Sequence, residues 1–358
     1  SYQNVAVQMT VPDSNFVTMP ASGWPVVILQ HGITSCKENM LALTGALSAQ
    51  GFATVAIDHP LHGSRGFGAV NASGASCGQN GSATAYMNLQ NLLVTRDNLR
   101  QSIADMLALR LALNFVQGVQ LDVTNVQLLG HSLGAIAATG MSAIANTATG
   151  NTALDAAYNL KSVALAMPGG AVANFLFDSP SFGPLVKASI LLGAGGAAAD
   201  GYTAFAEANS GCGGALAAPF AACFNPFVAY LQQTGDTATL AAMSSAFSQF
   251  AFAAQTVTDS GDPNNYAQRL VVAETPTYVI EVVGDAANER LPDQVIPNGY
   301  ANPMLALAAG KMPLAGTEPL ISLLSASPVT LAGPQALAGN AVARFNAGDH
   351  SSILSPAS

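Results

Sequence analysis

Charge is what this 358-residue sequence has least of. Asp, Glu, Lys and Arg together make up 9% of it, with 11 Lys and Arg against 20 Asp and Glu and a formal net charge of −9. Proteins that hold nucleic acid do so through basic patches that neutralise phosphates, and no such patch is visible here, which excludes that class of partner. Cysteine is scarce as well. Cys36, Cys77, Cys212 and Cys223 form no C-x-x-C and have no histidine at zinc spacing, so no metal site is expected from them. Their even number is compatible with two disulfides and export, and also with buried thiols. If bridged, the pairs expected are Cys212 with Cys223, which would tie a short Gly/Ala/Pro loop, and Cys36 with Cys77. The uncharged stretches 208–235 and 237–258 are broken by Pro and Gly or threaded with Ser, Thr and Gln, and neither reads as a transmembrane helix. The first residue is Ser1, with no secretory signal or lipidation motif there, the pattern of a processed or trimmed product.

Apolar residues are abundant instead, at 50%, with a mean hydropathy of +0.35. Such a chain has a large core, or exposes apolar surface for a reason. Residues 4–11 alternate as a first strand. Residues 26–29, 52–57, 126–129, 162–167, 277–283 and 341–345 are short apolar runs of the kind found in strands buried on both faces. Residues 37–50 and 135–145 read as helices. So does 95–113, where Leu99, Ile103, Met106, Leu107 and Leu111 share a stripe. Strands alternating with helices predict an α/β fold, a parallel sheet with helices on both faces. The alternation stops between residues 169 and 274, a tract rich in Ala, Gly and Phe. It is expected to be a helical cap inserted into a catalytic domain made of 1–168 and 275–358.

The chemistry centres on Gly130-His131-Ser132-Leu133-Gly134, placed between a predicted strand and a predicted helix. In that setting G-x-S-x-G is a sharp turn that presents a serine at a helix N-terminus, where free N–H groups favour developing negative charge. Serine is a poor nucleophile alone and needs a base, itself oriented by a third group. Among the five histidines, His131 adjoins the serine and is expected to project away from it. His31 follows a strand and is expected to brace its loop. His59 and His62, near Asp58, have no further ligand set for a metal. His350, in a Gly-Asp-His turn after the last strand, remains as the base. Two acids compete on one turn. Asp285 follows Gly284 directly, whereas Asp293 precedes Val295-Ile296-Pro297, an apolar pair and a proline able to anchor a loop; Asp293 is the preferred acid. Oxyanion donors are expected from the backbone N–H of Leu133 and of Ile33 in His31-Gly32-Ile33.

His31-Gly32, Asp58 to Gly63, the Ser132 pentapeptide and Gly348-Asp349-His350 resemble the α/β-hydrolase superfamily in kind and in order. Within it, Gln30 to Thr34, Asp58 to Arg65 and Asp293 to Pro297 resemble the bacterial extracellular lipase and phospholipase A1-like family. The resemblance implies an eight-stranded, mostly parallel sheet and a serine esterase or lipase working through an acyl-enzyme, without cofactor. It also implies export to the cell surface, periplasm or medium. The expected partner is a small-molecule or lipid ester, met in transient contact with a lipid interface. Gly-His-Ser-Leu-Gly also occurs in malonyl-CoA transacylases. Those acyltransferases usually continue with Glu where this chain has Ala135, and they leave His31-Gly32 and the late Gly-Asp-His unexplained. A binder of apolar ligands on a dead hydrolase frame is the non-enzymatic alternative, distinguished by failure of Ser132 to take a fluorophosphonate label.

Overall fold

The computed structural model describes residues 3–209, 212, 220–299, 312–329 and 339–355. Eight strands form one sheet: β1 (Val7–Thr10), β2 (Trp24–Gln30), β3 (Ala53–Ile57), β4 (Leu121–His131), β5 (Ser162–Ala166), β6 (Thr277–Val282), β7 (Ser327–Pro328) and β8 (Ala341–Phe345). Their order is β1-β3-β2-β4-β5-β6-β8-β7. Only β1 runs antiparallel to its neighbour. The apolar runs behave as their composition requires, since β2 and β3 bury almost every residue. Along β2, Val26 and Ile28 face one side of the sheet and Val27 and Leu29 the other, by the two-residue period of a strand. β4 begins at Leu121, five residues ahead of its apolar run, and a register shift at Pro25/Val26 absorbs the irregularity.

Between the strands lie α1 (Leu41–Ala49), α2 (Leu92–Ala112), α3 (Leu133–Ala145), α4 (Thr152–Tyr158), α5 (Val172–Asp178), α6 (Gly183–Ala194), α7 (Gly196–Ala208), α8 (Phe224–Thr234), α9 (Thr237–Thr258), α10 (Asn264–Val272) and α11 (Thr317–Leu323). The helix expected over 37–50 splits into a 3-10 turn at Lys37–Met40 and α1. α2, α3, α10 and α11 pack on one face of the sheet around Ile28, Val126, Leu128, Leu165 and Val342. α3 is rich in Ala and Gly, which lets it sink between sheet and helices; a β-carbon on Gly140 would stand 2.6 Å from Ile103 Cδ1. α2 buries the predicted stripe at Leu99, Ile103 and Met106, and also Arg110. Arg110 Nε and Nη2 donate to the carbonyls of Asn159 and Val123 at 3.0 and 2.9 Å. α1 covers Val27 and Leu29 on the opposite face.

Helices α5 to α9, between β5 and β6, share a second core built on Phe177, Tyr202, Phe224, Phe227 and Phe247. The span expected to be one insertion is therefore divided: α10 lies within it but packs on the sheet through Ala267 and Leu270. Asp262, buried between α9 and α10, joins the two parts. Its carboxylate accepts from the N–H groups of Ala171 and Val172 at the start of α5, at 3.0 and 2.6 Å. Disulfides link Cys36 to Cys77 and Cys212 to Cys223, the pairs expected. No helix among the described residues is long and apolar enough to cross a membrane.

Candidate active site

In a parallel sheet the strand C-termini lie at one edge, and the segments that leave them can meet there. Four do. The turn after β4 carries Ser132, the loop after β2 carries His31-Gly32-Ile33, the segment after β6 carries Asp293, and the loop after β8 carries His350. The β4 turn is as tight as its glycines imply. A β-carbon on Gly130 would collide with the carbonyl of Gly134, and one on Gly134 would collide with the carbonyl of Gln30. Ser132 has φ 56° and ψ −121°, a strained conformation for a residue with a side chain. It is held there by its N–H, which donates to Ala166 O at 2.9 Å, and by its carbonyl, which accepts from Ala135 and Ile136 at 2.8 and 3.0 Å.

Asp293 and His350 come together and Asp285 does not join them. His350 Nδ1 lies 2.7 Å from Asp293 Oδ2. The other carboxylate oxygen accepts from the N–H groups of Val295 and Ile296 at 2.7 and 3.1 Å, and Ile296 is buried below, so the loop is anchored as its apolar pair suggests. Asp285 turns to its own loop, accepting from Ala287 N and Asn288 Nδ2; the Asn288 bond, ahead of its other partners, holds its carboxyl below the usual range. With Nδ1–H committed to Asp293, the lone pair of His350 is on Nε2, a buried atom that has no hydrogen-bond partner among the described residues. The N–H groups of Ile33 and Leu133 also have no acceptor among those residues. Both residues line the same cavity as Ser132.

The loop after β2 is braced by a chain of hydrogen bonds. Tyr86 Oη reaches Ser102 Oγ at 2.7 Å, and Ser102 reaches His59 Nδ1 at 2.9 Å. His59 Nε2 donates to His31 O at 2.9 Å, and His59 N–H donates to His31 Nε2 at 3.0 Å. His31 Nδ1 is thereby left to donate to Gly32 O, 2.8 Å away. These partners fix the imidazoles as neutral tautomers. Burial, and then the neighbouring His62, lowers His31 to about 3; burial lowers His62 to about 4 and pushes His59 well below its ordinary value. The three rings pack 4.7 to 5.8 Å apart as a polar wedge under the loop, which accounts for the His59–His62 spacing. Asp58 is bound by Lys37 Nζ at 2.9 Å and by Ser64 Oγ at 2.8 Å.

His131 does not simply project away. Its Nε2 lies 2.6 Å from the carbonyl oxygen of His350, a contact across 219 positions that the sequence order conceals. The one available signal was a histidine, rather than a small residue, beside the serine.

Ser132, Ile33 and Leu133 open on a pocket whose other walls include Met87, Phe175, Leu176 and Val186. The wall is almost wholly apolar, and α5 and α6 supply one side of it.

Residues 26–349 match the model of the alpha/beta hydrolase family. The chain belongs to that family. Curated protein sequences contain no match. Among solved structures, it is similar to an enol-lactonase from Burkholderia xenovorans LB400 (13% identity, 98% of this chain and 91% of that chain covered, TM-score 0.39). It is also similar to a structure from a study of carboxylesterases of the thaumarchaeon Nitrososphaera gargenis (12%, 98% and 89%, TM-score 0.43). A third is a thermostable carboxyl esterase from Bacillus coagulans (14%, 95% and 84%, TM-score 0.39). At such identities the likeness concerns the fold alone.

Proposed function

We propose that this hydrolase is a serine carboxylic-ester hydrolase of the lipase or esterase kind, taking esters with an apolar acyl group. The observation that carries the reading is the Asp293–His350 pair at 2.7 Å, with His350 Nε2 free and the His350 backbone carbonyl bonded to His131, the residue before the strained Ser132 turn. In this reading Ser132 Oγ attacks the ester carbonyl carbon while His350 Nε2 takes its proton, and Asp293 steadies the imidazolium. The carbonyl π pair moves onto oxygen, where the N–H groups of Ile33 and Leu133 receive the charge. Collapse expels the alcohol, which takes the proton from His350, and leaves an acyl-serine. Water activated by the same histidine then releases the acid and restores Ser132.

The apolar cavity supports an acyl chain as the part of the substrate held beside Ser132, whether the ester is a lipase, esterase or phospholipase A1-like substrate. Residues 169–274 are read as a cap over a catalytic body of 1–168 and 275–358, its α5 and α6 forming the acyl side of the site and meeting a lipid interface transiently. The two disulfides favour an oxidising compartment and hence export. The test is hydrolysis of p-nitrophenyl esters and lysophospholipids by the wild type and Ser132→Ala, with fluorophosphonate labelling mapped by mass spectrometry. Wild-type turnover with a label on Ser132, both lost in the variant, supports the reading. Turnover retained by folded Ser132→Ala overturns it.

A further inference from the structure

We propose that His131 is a positioning residue for the base, holding the His350 loop against the nucleophile turn through its Nε2–H. The inference rests on the assignment of Ser132 and His350 above and deepens it. Residues 345–349, which lead to His350, are exposed, so packing does little to place the imidazole. Within the loop, Asp349 N–H donates to Ser352 Oγ and Ser351 N–H to Asp349 Oδ1, both at 2.7 Å. Those bonds shape the loop without fixing it relative to β4. Asp293 grips the ring of His350 from the β6 side. From the β4 side, His131 reaches the backbone carbonyl of His350 at 2.6 Å, with the two rings 5.1 Å apart. His131 is the last residue of β4 and immediately precedes Ser132, so one short segment carries the nucleophile and also sets the height of its base.

The chemistry of the side chain suits that duty. A carbonyl acceptor requires a donor, so the proton of His131 sits on Nε2. Its Nδ1 is buried without a partner among the described residues, and a β-carbon on Gly32 would come within 3.2 Å of it. The ring is thus wedged between the loop after β2 and the loop after β8 in one orientation. A neutral donor is also the only kind compatible with catalysis, because a second cation at 5.1 Å would oppose the imidazolium that His350 becomes. Burial, ahead of the His350 charge, lowers His131 to about 4 and keeps it neutral.

The discriminating comparison is His131→Gln against His131→Met. The two side chains have similar length and volume, and Gln alone keeps an N–H donor. A lost donor leaves a carbonyl unsatisfied and lets the base drift, for which about a ten- to hundredfold fall in kcat is expected. KM should stay within about twofold, because neither the acyl cavity nor the oxyanion donors change, and Gln should recover kcat to within about threefold of wild type. Melting curves check that both variants fold, and His131→Phe, which preserves the ring, replaces Met if Met does not. Equal kcat for the Gln and donor-free variants overturns the positioning role, as does a fall that appears in KM alone. A wild type with neither turnover nor Ser132 labelling overturns the parent assignment, a failure visible before any His131 variant is made.

Discussion

Gly32 stands so close to Ser132 that a β-carbon on it would lie 2.9 Å from the serine Cβ and 3.3 Å from its Oγ. The loop that presents the Ile33 N–H therefore touches Ser132 itself, and any side chain there must displace one or the other. Gly32→Ala is expected to lower kcat about a hundredfold, since a misplacement near 1 Å costs that much, with the fold retained. Kinetics of the purified variant, with calorimetry to verify folding, measure this; a kcat within twofold of wild type would contradict the geometry.

The two acids after β6 should separate cleanly. Asp293→Asn removes the acceptor that fixes the His350 tautomer, and by analogy with serine proteases kcat should drop about 10⁴-fold. Asp285→Asn alters only a turn whose partners are Ala287 and Asn288, and should leave kcat within about twofold. Parallel kinetics of the two variants decide it. The reverse ranking would contradict the proposed role of Asp293.

What the sequence made legible here is local. Gly130 and Gly134 announce a tight turn because their steric reason lies within a few residues, and Val295-Ile296 announces the anchor for Asp293 for the same reason. The long-range relations were silent. The His131–His350 bond spans 219 positions, and the three-histidine wedge joins loops after two different strands. β7 has only Ser327 and Pro328 at the sheet edge, too short to leave a periodicity. The burial of Arg110 is equally non-local, because the carbonyls that accept from it lie on segments outside α2. Composition marked residues 169–274 as different without revealing that α10 packs on the sheet.

Leu176 borders both the site cavity and a smaller one deeper among α5, α6 and α9, as do Met87, Leu89 and Val186. A larger residue at that position should shorten the accepted acyl chain. Each methylene denied burial costs about 0.8 kcal/mol, or about fourfold in kcat/KM. Leu176→Trp is therefore expected to lower kcat/KM progressively from butyrate to dodecanoate p-nitrophenyl esters while sparing acetate. A uniform change along the series would place the acyl group elsewhere.

The disulfides should contribute unequally. Cys36–Cys77 closes 41 residues and Cys212–Cys223 closes 11, so chain entropy assigns them about 4 and about 3 kcal/mol. Cys36 also follows the Gly32–Ser35 segment, so its loss should loosen the loop after β2. Cys36→Ser/Cys77→Ser is expected to lower both Tm and kcat, and Cys212→Ser/Cys223→Ser to lower Tm less and kcat little. Calorimetry and kinetics on both double variants measure this, and a larger Tm loss from the second would contradict it.

Stability should fall on the acid side of neutrality, earlier than carboxylate titration would dictate. His31, His62 and His131 are lowered to about 3, 4 and 4, and His59 also lies well below its ordinary value, with burial the leading cause for each. In the unfolded chain each recovers a value near 6.5. Between that value and its lowered one, the unfolded state binds more protons, so the folded state loses stability as pH falls. The contribution is complete above about pH 6.5 and is lost toward pH 4, at up to about 1.4 kcal/mol per pH unit for each histidine. Glu281, which burial and then Glu318 push up to about 7, and Asp262, which burial raises, act in the opposite sense, but they are two groups against four. Tm measured by calorimetry should be nearly level above pH 7 and decline with increasing slope from pH 6.5 to 4.5. A Tm that rises over that interval would mean that the wedge beneath the loop after β2 tolerates charge, and its rings would then have to be exposed or differently paired.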